Sequence, residues 1–212
     1  MPIYRYPLGP LNNNSYLILD DSTRDAAVVD PSFDSDQLLE AIQNVGCTLR
    51  YILNTHAHFD HILGNTLFHN WSGAPIALHP ADLELLRSLP EQCKWFGIPP
   101  VSSPEPSLYL EDQQCINIGD TQIKVLFTPG HSRGHVSFLI EQEGVVISGD
   151  SLFRGSIGRT DLPGGSSQTL LQSIRFSLLT LQDTYKVFAG HGETTTIGEE
   201  RGNNPFLRMK TM

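Results

Sequence analysis

The chain has 212 residues, 39% of them hydrophobic and 17% charged, with a formal net charge of −9. This is the balance of a globular chain, and it excludes a disordered polypeptide. The negative charge, with no run of Lys or Arg, argues against a nucleic-acid or anionic-membrane surface. No apolar stretch is long enough to span a bilayer. The N-terminal MPIYRYPLGPLNNNSY lacks the basic segment and apolar run of a signal peptide.

In chain order, SYLIL (15–19), AAVV (26–29), RYILN (50–54) and PIAL (75–78) read as strands in the first half. CINI (115–118), IKVLF (123–127), VSFLI (136–140), VVIS (145–148) and YKVFA (185–189) do so in the second. All are rich in β-branched and aromatic residues and are bounded by turn formers. Three helices are interleaved. The first has Asp34 and Gln37 as a capping box, Leu38, Ala41, Ile42 and Val45 in phase, and Gly46 as its stop. The second lies near 80–89, with Pro80 at its start and Leu83, Leu86 and Leu89 on one face. The third covers 167–181, with Ser166 as N-cap and Leu170, Ile174, Leu178 and Leu181 in phase. Helices among many short strands predict an α/β chain with helices on sheets. The Pro-rich stretch 90–114, with Trp95 and Phe96, is expected to be irregular, either a lid or a surface wrap. No internal repeat is visible.

Cys47, Cys93 and Cys115 are odd in number, widely spaced and form no CxxC. They read as free thiols in a reducing compartment, and a cytoplasmic location is expected.

The chemistry concentrates in NTHAHFDH, residues 54–61. It leaves the strand RYILN directly, so residues two apart, His56, His58 and Asp60, tend to one side. Imidazole and carboxylate at this spacing suit one small cation or two adjacent ones, with Zn, Fe, Mn and Co all admissible. His131 in TPGH, Asp150 in SGD and His191 in AGHG each follow another apolar strand. Loops at the ends of rigid strands are where ligating and catalytic groups collect. Five of the eight histidines fall in these positions, while His69, His79 and His135 fit no ligand spacing and read as structural. Unrelated buried polar clusters are the bland alternative, and each would need its own partners. A second alternative is a serine hydrolase, because GHSRG (130–134) matches G-x-S-x-G and Ser132, Asp150 and His191 follow in triad order. That motif requires a helix after the turn, whereas VSFLI reads as a strand.

HxHxDH, then TPGH, GD and GHG, with VVDPS near the start and NPFL near the end, resembles the metallo-β-lactamase-fold hydrolases, and within them the glyoxalase II branch. The resemblance implies a four-layer αβ/βα sandwich in a single domain over residues 1–212. It implies two divalent metal ions, zinc foremost, with iron or manganese admissible. One ion would take His56, His58 and His131, the second Asp60, His61 and His191, and Asp150 would bridge them. Asp60 would also orient a metal-bound hydroxide, the nucleophile that cleaves S-D-lactoylglutathione or a related thioester. In that family a basic residue lies nine positions after the bridging Asp. Here it is Arg159, a candidate for holding a substrate carboxylate. An ion pair between Arg159 and Asp161 is the competing reading.

The chain departs from the longer glyoxalase II enzymes in two ways. It ends about 20 residues after His191, without their helical extension, and Asp161 replaces their tyrosine. It resembles the short branch. The expected partner is therefore a small-molecule thioester, a glutathione conjugate among the options, and neither nucleic acid nor membrane. The rival within the same fold is a persulfide dioxygenase holding one iron through His56, His131 and Asp150.

Overall fold

All nine apolar runs form strands, and their pairing explains where the polar residues end up. The computed structural model describes residues 2–208. They divide into two compact units, one running through Leu110 and including Asn117–Thr121, the other formed by Glu111–Ile116 and the chain from Gln122 onward.

The first unit is built on a six-stranded sheet in sequential order: β1 (Ile3–Leu8), β2 (Asn13–Leu19), β3 (Asp25–Val29), β4 (Thr48–Leu53), β5 (Ile76–Leu78) and β6 (Leu108–Tyr109). β1, β2 and β3 are antiparallel neighbours, whereas β3 to β6 run parallel. A parallel pair needs a crossover, and helix α1 (Asp36–Val45) supplies it between β3 and β4. Leu38 and Ile42 of α1 are fully buried against Val28 and Ile52; each contributes roughly 2 kcal/mol of apolar burial. Gly46 ends α1 in the left-handed region (φ +66°), as expected for a C′ glycine. The Asp34 capping box does not form. Asp34 has φ +51° and lies one residue outside the N-cap, Ser35, whose hydroxyl donates instead to the Ser32 carbonyl. The Gln37 N–H donates to the backbone oxygen of Asp34.

Short helices follow: α2 (Phe59–Ile62), α3 (Asn65–Ser72), α4 (Leu83–Arg87) and α5 (Leu89–Trp95). The helix expected at 80–89 is thus three pieces, a 3-10 turn at Pro80–Asp82 and then α4 and α5. Pro90 sits in the first turn of α5, where its missing N–H is harmless. The stretch 90–114 is correspondingly less irregular than its prolines suggest. α5 runs into it and β6 lies near its end, while Trp95 (66%) and Phe96 (51%) are exposed.

The chain then forms β7 (Cys115–Ile118), β8 (Thr121–Phe127), β9 (Val136–Ile140) and β10 (Val145–Gly149), which apart from Asn117–Thr121 belong to the second unit. A small hairpin, β11 (Leu152–Phe153) with β12 (Ser156–Ile157), comes next, then helix α6 (Ser167–Ser173), β13 (Lys186–Ala189), β14 (Thr195–Thr196), α7 (Ile197–Asn203) and α8 (Pro205–Arg208). The sheet order is β14-β13-β10-β9-β8-β7. β8, β9 and β10 are antiparallel neighbours; β10 and β13 are parallel. α6 is capped by Ser166, which accepts from the Thr169 N–H, and continues as a π-helical turn over Ile174–Leu178. Leu170, Ile174 and Leu178 are fully buried against Leu126, Val146 and Val187. The three cysteines are free thiols: Cys93 is buried, Cys47 half-buried and Cys115 exposed. Among the described residues no helix is long and apolar enough to cross a membrane.

Candidate metal centre

Adjacent parallel strands end at the same edge of their sheet, so the residues leaving them meet. In the first unit this brings Asp30, just after β3, to the segment just after β4. Asp30 is 1% exposed. Its Oδ1 accepts from the Thr55 N–H (2.7 Å), and its Oδ2 accepts from the Thr55 hydroxyl (2.7 Å) and from His61 Nδ1 (3.0 Å). Since the Thr55 hydroxyl spends its one proton on Asp30, it can only accept from His56 Nδ1, 2.9 Å away.

One carboxylate thereby fixes two tautomers. His56 and His61 each carry the proton on Nδ1 and offer the lone pair of Nε2. The Asn13 amide Nδ2, 2.9 Å from His61 Nε2, meets the same lone pair. Asp30, His56 and His61 offer ligand atoms within 4.8 Å of one another. The rings of His56 and His58 stand edge to face at 4.8 Å, and those of His56 and His61 lie 4.1 Å apart. Asp60 sits in the first turn of α2, its Oδ2 3.7 Å from His61 Nε2. Asn54 pairs with Asn65 and donates to the His61 carbonyl (3.2 Å), closing the loop from behind.

The second unit repeats the device. Asp150 follows β10 and His191 follows its parallel neighbour β13. Their facing atoms, Oδ2 and Nε2, are 3.7 Å apart. β8 runs in the same direction as β10, two strands away, and His131 follows it, with Nε2 3.5 Å from Asp150 Oδ2. His131 Nδ1 lies 2.8 Å from the carbonyl oxygen of Arg159. A carbonyl only accepts, so Nδ1 donates to it, and in the neutral ring the Nε2 lone pair faces a carboxylate oxygen. Such a facing pair of acceptors suits a cation between them.

Two ligands bonded at about 2.1 Å to one tetrahedral ion are about 3.4 Å apart, close to the separations found in both units. The donor set also has the outer shell typical of metal histidines, in which the second ring nitrogen is tied to a carboxylate, carbonyl or hydroxyl. The residues therefore fit a divalent metal. His56, His58, Asp60 and His61 come together in the first unit and His131, Asp150 and His191 in the second.

Arg159 is placed differently from the other candidates. Its side chain makes a bidentate ion pair with the Asp161 carboxylate, both bonds 2.8 Å, and both side chains are exposed. The hydrogen bond from Arg159 holds the Asp161 carboxyl down to about 2. The backbone of the same loop is what reaches His131. Gly158 makes this passage sterically feasible, since a Cβ there would lie 1.8 Å from the Asp150 carbonyl oxygen. Ser132 is 1% exposed, and the chain continues from its turn into strand β9, so the nucleophile-elbow geometry is absent.

The sequence reading missed Asp30, Thr55 and the partner of Asp150. Asp30 carried a usable signal, being a polar residue leaving an apolar strand, as Asp150 is. His135 proves structural, as expected, but with a task. Its Nε2 accepts from the Asp150 N–H (3.0 Å) and its Nδ1 donates to the Thr128 hydroxyl (2.9 Å). His69 and His79 serve local backbone contacts with Ala74 and Ala81.

The profile of the Metallo-beta-lactamase superfamily matches residues 8–191. A protein of Haemophilus influenzae named hydroxyacylglutathione hydrolase GloC is 36% identical over 213 residues, covering 100% of both chains. The probable metallo-hydrolase YqgX of Bacillus subtilis is 40% identical over 206 residues, 96% of each chain. Among solved structures, BLEG-1 B3 metallo-beta-lactamase superposes with a TM-score of 0.92 at 37% identity, covering 98% of this chain and 100% of that one. TTHA1623 in a di-iron-bound form gives 0.89 at 38%, covering 96% and 100%. The chain belongs to the metallo-beta-lactamase superfamily, a superfamily of metal-dependent hydrolases, and has its fold.

Proposed function

We propose that the protein is a glyoxalase II-type thioesterase that hydrolyses S-D-lactoylglutathione or a related small thioester. The observation that carries the reading is the tautomer pattern: Nδ1 of His56, His61 and His131 is each tied to an acceptor, so each Nε2 lone pair is presented for ligation. The similarity to a relative named hydroxyacylglutathione hydrolase supports the thioester. In this reading His56, His58 and His131 hold one divalent ion, Asp60, His61 and His191 a second, and Asp150 both. Bound divalent ions would supply a water acidified toward neutrality and a charge to oppose the developing oxyanion. Asp60 would accept a hydrogen bond from that water and aim it, and no serine or cysteine nucleophile is needed. Arg159 would meet a substrate carboxylate only after parting from Asp161. Zinc is the expected metal; iron is kept as an option because a 38% identical relative was solved with two irons.

The test is a metal-defined assay. Bound metal is quantified, and hydrolysis of S-D-lactoylglutathione is followed with and without chelator, beside a chromogenic β-lactam and glutathione persulfide. About two metals per chain and thioester turnover abolished by chelation are expected, and His58→Ala should lower metal content and turnover together. Full turnover in metal-free protein, or His58→Ala with full metal and full activity, would overturn the reading. One iron per chain with oxygen uptake on the persulfide would favour the dioxygenase reading instead.

A further inference from the structure

Beyond Leu53 the chain leaves its sheet, yet its backbone continues as if a strand still lay beside it. Alternate N–H groups at Thr55, Ala57 and Phe59 all find acceptors, and each acceptor is a side-chain oxygen. The Thr55 N–H donates to Asp30 Oδ1 (2.7 Å), the Ala57 N–H to Asp82 Oδ2 (3.1 Å) and the Phe59 N–H to Gln92 Oε1 (3.0 Å). Gln92 also returns a bond, its Nε2 donating to the Ala57 carbonyl (3.2 Å). Its amide therefore grips the chain on both sides of His58.

Asp82 and Gln92 are 1% and 3% exposed, so these bonds do not compete with bulk water. Gln92 is itself fixed, since Nε2 also donates to the Leu85 carbonyl (2.8 Å). Helix α5, which carries Gln92, braces the segment a second way: Phe96 beyond its end stacks on Phe59 at 4.2 Å. The Pro-rich stretch thus begins as a support for the ligand segment.

We propose that Asp82 and Gln92 are positioning residues for the metal-ligating segment, completing with Asp30 a ladder of side chains that fixes the peptide planes carrying His56 and His58. This rests on the metal-centre reading above. Ligation needs each imidazole aimed to within about half an ångström, and side-chain acceptors set in register with alternate N–H groups hold the backbone that carries the rings.

The test is zinc affinity of the full-length protein, stripped with chelator and titrated against a chromogenic competitor. Gln92→Ala is expected to weaken zinc about 10-fold or more, the scale of outer-shell losses. Gln92→Glu keeps an acceptor for the Phe59 N–H but sets its second oxygen against the Ala57 and Leu85 carbonyls, so it should weaken zinc as well; it carries the test if Gln92→Ala does not fold. Leu89→Ala, in the same helix and in the core cluster that holds Ala57 and Phe59, removes packing but no hydrogen bond and is the structural control. It should lower the melting temperature of the metal-free protein while leaving zinc affinity within about threefold. Wild-type affinity in folded Gln92→Ala, or an equal loss in Leu89→Ala, would overturn the proposal and leave the metal centre standing. Absence of zinc binding by the wild-type protein would overturn both.

Discussion

The two units present their donors by the same topological device and secure them by different means. In each, a strand pair that runs parallel delivers polar residues to one sheet edge: Asp30 and the 54–61 segment from β3 and β4, Asp150 and His191 from β10 and β13. The first unit then orients two of its ligand histidines through one side chain, Asp30, which serves Thr55 and His61 directly and His56 through Thr55. The second spreads the task. A backbone carbonyl of Arg159 holds His131, and His135 holds the Asp150 N–H. A hub concentrates the consequences of one substitution, whereas distributed supports dilute them.

The largest effect is therefore expected at the hub. Asp30→Ala strips acceptors from two N–H groups and a hydroxyl in a site closed to water, and it places alanine at φ +50°. Unsatisfied buried donors cost about 1–3 kcal/mol each, so a loss on the order of 3 kcal/mol is expected in urea unfolding of the metal-free protein. Zinc affinity should fall toward the hundredfold end of outer-shell effects. In the second unit, His135→Leu removes a single acceptor and should cost about 1–2 kcal/mol, with zinc weakened about tenfold. If His135→Leu proves the more damaging of the two, the contrast between hub and distributed support is wrong.

The same contrast explains what could be read from the sequence. The donors were legible because HAHFDH packs four of them into six residues and because His131, Asp150 and His191 each follow an apolar strand. The strands were legible because short runs rich in Val, Ile, Leu and Phe become buried ladders, as β2, β9 and β10 are along their whole length. β1 was missed because it is an edge strand that carries Pro7 and buries only Leu8. β6, β11, β12 and β14 were missed because two residues have no period. The supports were illegible for another reason. Gln92 reaches a backbone group 33 positions away, and Asp30 one 25 positions away, so no local spacing announces them. The Asp34 capping box failed because a three-residue spacing does not say where the chain turns. Here the left-handed Asp34 puts the helix start two residues later.

The smallest effect is expected where support and substrate reading meet, at Arg159. Its carbonyl orients His131 whatever its side chain does, so the guanidinium can be tested alone. Asp161 holds that guanidinium in an exposed bidentate pair, and such pairs are weak. Asp161→Asn should release it and lower KM for an anionic thioester by about threefold, the scale of an exposed ion pair, with kcat unchanged. The pH dependence has a definite sign. The Asp161 carboxyl is lowered in the folded protein from 3.8 to about 2, chiefly by the hydrogen bond from Arg159. The pair is therefore fully formed above pH 4 and is lost only as pH falls through about 2. Between pH 5 and 9 the ratio of wild-type to Asp161→Asn KM should consequently be flat. A ratio of one throughout would mean that the guanidinium does not meet the substrate, leaving to Arg159 only the carbonyl that holds His131.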